Sequence, residues 1–215
     1  MQKTSNDYIK IVLIGDSNVG KSSLIHRYIE DSYSPDQPNT VGVDFFAKKA
    51  QVAGKTYTVQ VWDTAGQERF KAMVRTYFRS ASAAILVFDL TKRVSFDHIT
   101  GWLDEIREDL EANTPVLLVG SKADLKEHRV ITDSAAKALA DQKGLLYFEA
   151  SAVNSQNVQQ LFRVAIEKVV EGYSSAEKND GERSTRGGSV IDLNVRPKGK
   201  DSKHDKNAGN GCCGF

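Results

Sequence analysis

The stretch GDSNVGKS, residues 15–22, follows the apolar run YIKIVLI and has the spacing GxxxxGKS. Its two glycines allow a tight curl in which successive backbone amides face one anion, where a side chain would be crowded. Lys21 is long enough to reach the β- and γ-phosphates of a nucleotide, and the hydroxyl of Ser22 can ligate Mg²⁺. The residues that follow suit a helix, which would place the positive end of its dipole under the phosphates. The stretch therefore predicts a strand, a phosphate-binding loop and a helix.

The composition is that of an ordinary soluble globular protein. The 215 residues are 40% hydrophobic and 27% charged, with a formal net charge of +1. So small a charge gives no support to nucleic-acid binding, and we expect no nucleic-acid partner. No apolar run approaches the ~20 residues of a membrane span, and the N-terminus has no signal-peptide core. A cytosolic protein is the expectation.

Short apolar runs alternate with helical patterns along the chain. Buried strands that alternate with helices predict a parallel sheet covered on both faces. The predicted strands are YIKIVLI, TYTVQVW, AAILVFDL, PVLLVGS and LLYFEAS, and the predicted helices are residues 20–30, 96–111, 133–143 and 157–171. Gly172 is the predicted stop of the last helix.

A hairpin interrupts this alternation. VDFFAKKAQV and TYTVQVW flank a turn at residues 53–55, which predicts one antiparallel strand at the sheet edge. The predicted fold class is α/β: a doubly wound sheet of six strands, mostly parallel with one antiparallel edge strand, and helices on both faces. The predicted organisation is a short extension over residues 1–7, a folded domain over residues 8–172, and a polar, disordered tail over residues 173–215.

Three further motifs follow predicted strands. DTAGQ (63–67) begins with an Asp that can hold Mg²⁺ or its water, and the amide of Gly66 can reach a γ-phosphate. SKAD (121–124) and ASA (150–152) follow the last two strands. An accidental glycine-rich turn would produce GxxxxGKS about once in a hundred chains of this length. Ligands of doubly wound sheets bind at the carboxyl ends of the strands, so four motifs at that edge argue against chance.

Together these motifs resemble those of small GTPases of the Ras superfamily, and most closely those of the Rab family. TVGVDF (40–45), WDTAGQERF (62–70) and LVFDLT (86–91) are similar to the stretches that distinguish Rabs from their relatives. The resemblance covers residues 8–171 and the last few residues. It implies the Ras-like P-loop NTPase fold and a molecular switch that alternates between GTP and GDP, hydrolyses GTP slowly and recruits effectors to membranes in vesicle trafficking.

The resemblance also implies roles for residues around the phosphates. Thr40 would bind Mg²⁺ through its hydroxyl and the γ-phosphate through its amide, and loss of that phosphate would release its loop. Asp63 would lie in the outer shell of the metal, and Gln67 would orient the attacking water. The implied metal set is Ser22, Thr40 and Asp63. The implied phosphate contacts are Ser17, Asn18, Val19, Gly20, Lys21, Ser22, Ser23 and Gly66.

The base would be recognised by the two later motifs and one aromatic residue. Asp124 would accept the N1 and N2 protons of guanine, a donor pair that adenine cannot present. Lys122 would pack along the base plane, and Tyr33 would lean on the ring. The implied base set is completed by Ser121, Ser151 and Ala152, whose amide would bond the guanine O6.

Two positions depart from the family pattern in ways that bear on the site. Ser121 stands where the family has Asn, so we expect the longer reach to the base N7 and to the phosphate loop to be lost and nucleotide to be held more weakly. Gln37 occupies a position often held by Tyr, which predicts a looser closure over the γ-phosphate.

Arg69 and Arg75 are candidates for compensating the negative charge of the transition state, by proximity only. Intrinsic turnover is therefore expected to be ~10⁻⁴ s⁻¹, with an activating protein supplying an arginine finger in trans.

The resemblance extends to surface aromatics and to the end of the chain. Phe45, Trp62 and Tyr77 resemble the triad through which Rabs meet effectors; a place in the core is the alternative. Cys212 and Cys213 are adjacent, too close for an unstrained disulfide, and resemble the prenylated cysteines of Rabs. Two lipid groups anchor a protein stably where one binds only marginally.

The implied ligands and partners follow from the family. We expect GTP or GDP with Mg²⁺, an exchange factor (GEF), an activating protein (GAP), an escort protein or dissociation inhibitor (GDI), and effectors. The folded domain is expected to be monomeric, and the prenylated protein to cycle between the cytosol and the cytoplasmic face of endomembranes. A non-hydrolysing scaffold and an ATP-dependent kinase or ATPase are the alternatives. Thr40, Asp63 and Gln67 argue against the first, and SKAD and ASA against the second.

Overall fold

The computed structural model of the chain describes residues 8–38, 40, 42–64 and 77–185, with the backbone alone described over residues 174–185. The strands are β1 (Tyr8–Ile14), β2 (Val43–Val52), β3 (Lys55–Thr64), β4 (Ala83–Asp89), β5 (Val116–Ser121) and β6 (Leu146–Glu149). The helices are α1 (Lys21–Glu30), α2 (Arg93–Asp97), α3 (Ile99–Arg107), α4 (Asp133–Lys143) and α5 (Val158–Thr185), with a short 3-10 helix at Lys126–His128.

One six-stranded sheet organises these elements, in the order β2-β3-β1-β4-β5-β6. Neighbouring strands are parallel except β2, which pairs antiparallel with β3 from Val43 opposite Thr64 to Val52 opposite Lys55. Ala53 and Gly54 join these two strands with φ of 50° and 78°, the left-handed conformation that a two-residue hairpin turn needs. The sheet confirms the predicted fold class, including the antiparallel edge strand.

The core lies in two layers, one on each face of the sheet. One layer contains side chains of α1 and α5, where the ring of Tyr28 stacks on that of Phe162 with centroids 4.0 Å apart. The other layer contains side chains of α3 and α4. All seven residues of β4 are buried, because this strand is near the middle of the sheet and covered on both faces. Such double burial explains the uninterrupted apolar run AAILVF.

Two predicted helix boundaries are wrong. The helix predicted over residues 96–111 is divided into α2 and α3 at His98, and α3 ends at Arg107, where the N–H groups of Asp109 and Leu110 both donate to the carbonyl of Ile106. α5 continues through Gly172 to Thr185. A glycine inside a helix costs about 1 kcal/mol relative to alanine, which does not by itself end the helix.

None of the helices in the described part of the chain has both the length and the apolar character needed to cross a membrane.

Candidate functional site

The loop after β1 is shaped by a close approach to β4. Gly15 has a φ of +145°, and a Cβ on it would lie 2.1 Å from the carbonyl oxygen of Val87. Only glycine fits there, because any side chain would collide with that backbone. Gly20, with a φ of +93°, precedes the first residue of α1, and its carbonyl accepts the N–H of Leu24. The loop therefore curls directly into the N-terminus of a helix, as the spacing predicts.

Lys21 lies at the centre of this curl and is 5% exposed. Its ammonium donates to the carbonyls of Gly15 at 2.8 Å and Asp16 at 2.7 Å. Burial lowers the pKa of Lys21 to about 8, while the carboxylates of Asp63 and Asp16 act in the opposite direction. The loop thus holds a cation among backbone groups, at the position expected for a phosphate contact.

Three side chains from separate elements converge beside Lys21. Ser22 Oγ donates to Asp63 Oδ2 at 2.5 Å, Thr40 Oγ1 donates to the same oxygen at 2.9 Å, and the two hydroxyl oxygens are 2.8 Å apart. The structure therefore brings together the full metal set predicted from the sequence. The three residues come from α1, the loop before β2, and β3.

Asp63 is 2% exposed, and its other oxygen, Oδ1, has no hydrogen-bond partner among the described residues. Burial raises the pKa of Asp63, against the hydrogen bonds from Ser22 and Thr40 and the charge of Lys21. An unpaired carboxylate oxygen beside two hydroxyl oxygens is a hard oxygen donor set. These residues fit a small divalent cation such as Mg²⁺.

A cavity of about 410 Å³ opens beside these groups, and most of its lining was predicted from the sequence. Six further lining residues, among them Gln37 and Lys92, had no predicted nucleotide contact. Gln37 Oε1 lies 3.4 Å from the hydroxyl of Ser23, at the outer limit of a hydrogen bond. The predicted residues in the lining are Ser17, Asn18, Gly20, Lys21, Ser22, Ser23, Tyr33, Thr40 and Lys122.

A second cavity, of about 190 Å³, adjoins the first and shares Tyr33 and Lys122 with it. Its lining also includes Ser121, Asp124 and Ala152, the residues predicted to contact the base. The two cavities therefore place the predicted phosphate and base contacts next to each other, at the carboxyl edge of the sheet.

Ser151 positions two of the segments that were predicted to contact the base. It is fully buried, and its hydroxyl donates to Asp124 Oδ1 at 2.5 Å. Ser151 Oγ also accepts the backbone N–H groups of Val153 at 3.2 Å and Asn154 at 3.4 Å. One hydroxyl thus fixes both the Asp124 carboxylate and the loop after β6.

The expected loss of contact between Ser121 and the phosphate loop is wrong. Ser121 Oγ lies 2.5 Å from the carbonyl oxygen of Val19 and 2.8 Å from that of Phe88. A hydroxyl has one hydrogen and donates to one of these carbonyls at a time, but it reaches the loop because β5 ends beside it. Val19 itself is buried in the core, so its backbone and not its side chain meets the base motif. The lost reach to the base N7 stays a prediction.

Asp89, at the end of β4, was not predicted as part of the site, yet it anchors two neighbouring segments. It is fully buried, it accepts the N–H and the hydroxyl of Thr91 at 2.8 and 2.6 Å, and its Oδ2 forms an ion pair of 2.7 Å with the ammonium of Lys122. Burial alone would raise the pKa of Asp89, but the hydrogen bonds from Lys122 and Thr91 outweigh it and hold the pKa below its ordinary value. Lys122 also donates to the carbonyl of Asn18 at 2.9 Å.

Two further contacts hold the loops and also escaped sequence analysis. The carboxylate of Asp16 accepts the indole N–H of Trp102 at 2.8 Å and contacts the imidazole of His98 at 2.8 Å. On the opposite side, Arg27 of α1 donates to the carbonyls of Ala152 at 2.7 Å and Val153 at 3.3 Å. These partners lie 82 to 126 residues apart, so no local pattern could have indicated them.

The three predicted effector aromatics lie in one row. The ring centroids of Phe45 and Trp62 are 5.2 Å apart, and those of Trp62 and Tyr77 are 5.3 Å apart. Phe45 is 49% exposed, so the alternative of a core position does not describe it. The other named candidates, Gly66, Gln67, Arg69 and Arg75, and the terminal Cys212 and Cys213, lie outside the described residues.

An ion pair holds the end of β6, the strand that leads into the motif ASA. The guanidinium of Arg129 forms two bonds with the carboxylate of Glu149, one of 2.9 Å between Nη1 and Oε2 and a second between Nη2 and Oε1. Tyr147 donates its hydroxyl to Glu149 Oε1 at 2.8 Å. The hydrogen bond from Arg129 lowers the pKa of Glu149. The pair joins the segment after SKAD to the strand that leads into ASA.

Comparison with known proteins agrees with this geometry. Residues 10–171 match the Ras family model. The chain is 37% identical to the Ras-related protein YPTC6 of Chlamydomonas reinhardtii over 98% of both chains, and 39% identical to the Ras-related protein RABA4a of Arabidopsis thaliana over 96% of this chain and 93% of that one. It is 44% identical to the Ras-related protein RGP2 of Oryza sativa subsp. japonica over 74% of each chain. The chain therefore belongs to the Ras family, as a Rab-type small GTPase that binds GTP and GDP and hydrolyses GTP.

The Ser121 contact predicts a measurable effect on nucleotide retention. In Ser121→Ala the hydrogen bond to the phosphate loop is lost, and a bond of about 1 kcal/mol corresponds to about fivefold faster GDP release. Release of a fluorescent GDP analogue measures this rate. Ser134→Ala, which removes an exposed hydroxyl from α4, is the control and should release GDP like the wild type. An unchanged rate in Ser121→Ala would show that the contact does not hold the loop.

The Arg129 and Glu149 pair predicts a pH-dependent stability. Because the pKa of folded Glu149 lies below its ordinary 4.5, its contribution is complete above the unfolded pKa and is lost as the pH falls through the folded pKa. Arg129→Met should lower the free energy of unfolding by about 1–3 kcal/mol at pH 7, and the difference from wild type should shrink below about pH 4.5. Urea unfolding from about pH 2.5 to pH 7.5, which covers the range below the ordinary pKa of a glutamate, tests this. A difference that stays constant with pH would contradict the assignment.

Proposed function

We propose that this Rab-type GTPase binds guanine nucleotide with Mg²⁺ across the two adjoining cavities and acts as a membrane-attached switch in vesicle trafficking. The observation that carries the proposal is the convergence of Ser22 and Thr40 on the buried carboxylate of Asp63, directly beside the phosphate loop. The convergence links the loop that binds phosphate to a segment that can respond to it.

The phosphate end of the ligand is assigned to the larger cavity. The backbone amides of the loop and of the first turn of α1 would bind the phosphate anion there, and the ammonium of Lys21 would supply positive charge. Mg²⁺, when bound, supplies positive charge to the phosphate oxygens, held by Ser22 and Thr40 with Asp63 behind them. Thr40 is the residue whose position depends on the terminal phosphate.

The guanine base is assigned to the smaller cavity. Asp124 is held with one carboxylate oxygen on Ser151, which leaves its other oxygen for the N1 and N2 protons of guanine. Adenine presents no such donor pair, and an acceptor left unpaired in a buried site is costly. Tyr33 and Lys122 line both cavities and are assigned to the faces of the base. The amide of Ala152 is assigned to the guanine O6.

Hydrolysis is assigned to an attack by water that Gln67 orients. The water oxygen forms a bond to the γ-phosphorus as the bond from that phosphorus to the β–γ bridging oxygen breaks, so that phosphate leaves and GDP stays in the site. Turnover of ~10⁻⁴ s⁻¹ is expected without an activating protein. The slow rate makes the nucleotide a timer for the switch.

The aromatic row of Phe45, Trp62 and Tyr77 is the proposed effector surface. Phe45 lies in β2, directly after the segment that contains Thr40, and Tyr77 follows the segment that contains Gln67. A change in those two segments with nucleotide would alter the ends of the row, so that a partner could distinguish GTP from GDP by shape. GEF, GAP, GDI or escort protein, and effectors are the proposed partners.

Attachment to membranes is proposed through Cys212 and Cys213. Two prenyl groups give stable anchoring where one gives marginal binding, and removal of the lipids from the bilayer by a GDI would return the protein to the cytosol. The cytoplasmic face of endomembranes is the proposed location.

Removal of the metal tests the proposed site. EDTA should accelerate GDP release from the wild type on the order of tenfold, because the phosphate charges lose their counterion. Ser22→Ala should release GDP rapidly in Mg²⁺ and respond little to EDTA. Ser32→Ala, whose hydroxyl contacts Glu30 outside the site, is the control and should respond like the wild type. An equal EDTA response in Ser22→Ala and wild type would refute the assignment of the metal.

The switch on membranes predicts opposite behaviour for two variants in cells. Gln67→Leu should hold mostly GTP and accumulate on membranes, while the Cys212→Ser, Cys213→Ser double variant should stay in the soluble fraction whatever nucleotide it binds. Bound-nucleotide analysis and fractionation measure both. A double variant that remains on membranes would exclude the two cysteines as the anchor.

A further inference from the structure

A lysine that belongs to none of the four nucleotide-binding motifs lines the larger cavity, to which the phosphates are assigned. Lys92 is the third residue after β4, is exposed, and lines the cavity of about 410 Å³ together with Ser17 and Thr40. β4 pairs with β1 in parallel, so the segments that follow the two strands emerge side by side at the carboxyl edge of the sheet. This topology brings Lys92 to the phosphate loop.

The backbone of Lys92 is fixed on both sides. Its N–H donates to the carbonyl of Asp89 at 2.9 Å, and its carbonyl accepts the hydroxyl of Ser95 at 2.8 Å. Ser95 Oγ also accepts the N–H of Asp89 at 3.0 Å. The Cα of Lys92 is therefore held in place by the turn that begins at the buried Asp89, which also binds Lys122.

Among the described residues Lys92 has no partner of opposite charge, whereas the other two lysines of the cavity each contact polar groups of the protein. Lys21 donates to two carbonyls of the loop, and Lys122 is paired with Asp89. The ammonium of Lys92 has no ion-pair partner among the described residues, and none of the described residues that line the cavity carries a carboxylate. A flexible lysine stem can bring this charge to an anionic ligand.

The neighbouring cation, Arg93, is engaged elsewhere. Its guanidinium donates to Asp97 at 2.8 Å and lies 5.7 Å from the ring centroid of Phe96. Arg93 is not part of the cavity lining. Two adjacent residues of equal charge thus differ in whether they face the cavity, which makes Arg93 a matched control for Lys92.

We propose that Lys92 contacts the terminal phosphate of GTP and thereby raises the preference of the site for GTP over GDP. The inference rests on the proposed placement of the phosphates in this cavity. In that placement the inner phosphates lie against the loop amides and Lys21, and Lys92, which lines the same cavity as Thr40, is left for the outermost phosphate. The triphosphate carries about one more negative charge than the diphosphate and places charge further out, so a cation several ångströms from its end favours the triphosphate.

The test compares affinities of the nucleotide-free, full-length protein for GDP and for guanosine 5′-(β,γ-imido)triphosphate in the presence of Mg²⁺. In Lys92→Ala the affinity for the triphosphate analogue relative to GDP should fall on the order of fivefold. Lys92→Arg should restore the ratio, and Arg93→Ala should leave it unchanged. The effect should weaken as salt is raised, since the contact is solvent-exposed.

Two results would overturn the inference: an unchanged ratio in Lys92→Ala, or an equal fall in Arg93→Ala, which would indicate only the general charge of the surface. Lys21→Ala separates this failure from failure of the proposed site. If Lys21→Ala loses nucleotide while Lys92→Ala keeps the wild-type ratio, the site stands and the role of Lys92 does not. If Lys21→Ala binds both nucleotides like the wild type, the placement of the phosphates is itself wrong.

Discussion

The buried carboxylate of Asp63 is the interaction on which the site depends. It is the last residue but one of β3, and it accepts hydrogen bonds from the hydroxyls of Ser22 in α1 and Thr40 in the loop before β2. A buried carboxylate with one oxygen unpaired is unfavourable unless positive charge is close, and burial accordingly raises the pKa of Asp63. The fold therefore maintains a position that favours a cation, and it does so where three separate elements meet. Displacement of any one of them removes part of the donor set.

The sheet could be predicted from the sequence because the patterns that indicate its strands are local. Runs such as AAILVF are continuous where a strand is covered on both faces, and the turn at Ala53 and Gly54 identifies the antiparallel edge. Similar patterns gave two wrong helix boundaries. At His98 the helix is divided although the apolar pattern continues and the backbone keeps right-handed helical angles, and at Gly172 the helix tolerates a glycine whose penalty is small. Boundaries depend on hydrogen bonds at the helix ends, and residue patterns report those only weakly.

The site was predictable where a motif encodes it and not where distant residues meet. The loop glycines and most of the residues proposed for the metal and the base lie in motifs at the ends of parallel strands, and the structure brings these residues together. The contacts that hold these motifs in place do not follow from any local pattern. Ser121 reaches Val19 across 102 residues, and Trp102 reaches Asp16 across 86. The wrong prediction for Ser121 has the same origin. The short side chain suggested that its hydroxyl does not reach the phosphate loop. Whether it does depends on the distance between β5 and that loop, which is set by the packing of the whole sheet.

The contacts between loops divide the site into a fixed part and a releasable part. The phosphate loop is bonded to the base motif through Ser121 and Lys122, and Lys122 is bonded in turn to the buried Asp89. The segment that contains Thr40 is attached to the described part of the site by hydroxyl bonds to Ser22 and Asp63 and by the long contact between Gln37 and Ser23. The first set includes the buried bond of Ser121 and the ion pair with the fully buried Asp89, whereas every contact of the second set is partly exposed. Loss of a ligand therefore weakens the second set more than the first. A phosphate added to or removed from the end of the nucleotide can therefore move the Thr40 segment while the rest of the site keeps its grip on the base and the inner phosphates. This asymmetry is the physical requirement for a switch that changes shape without releasing its ligand.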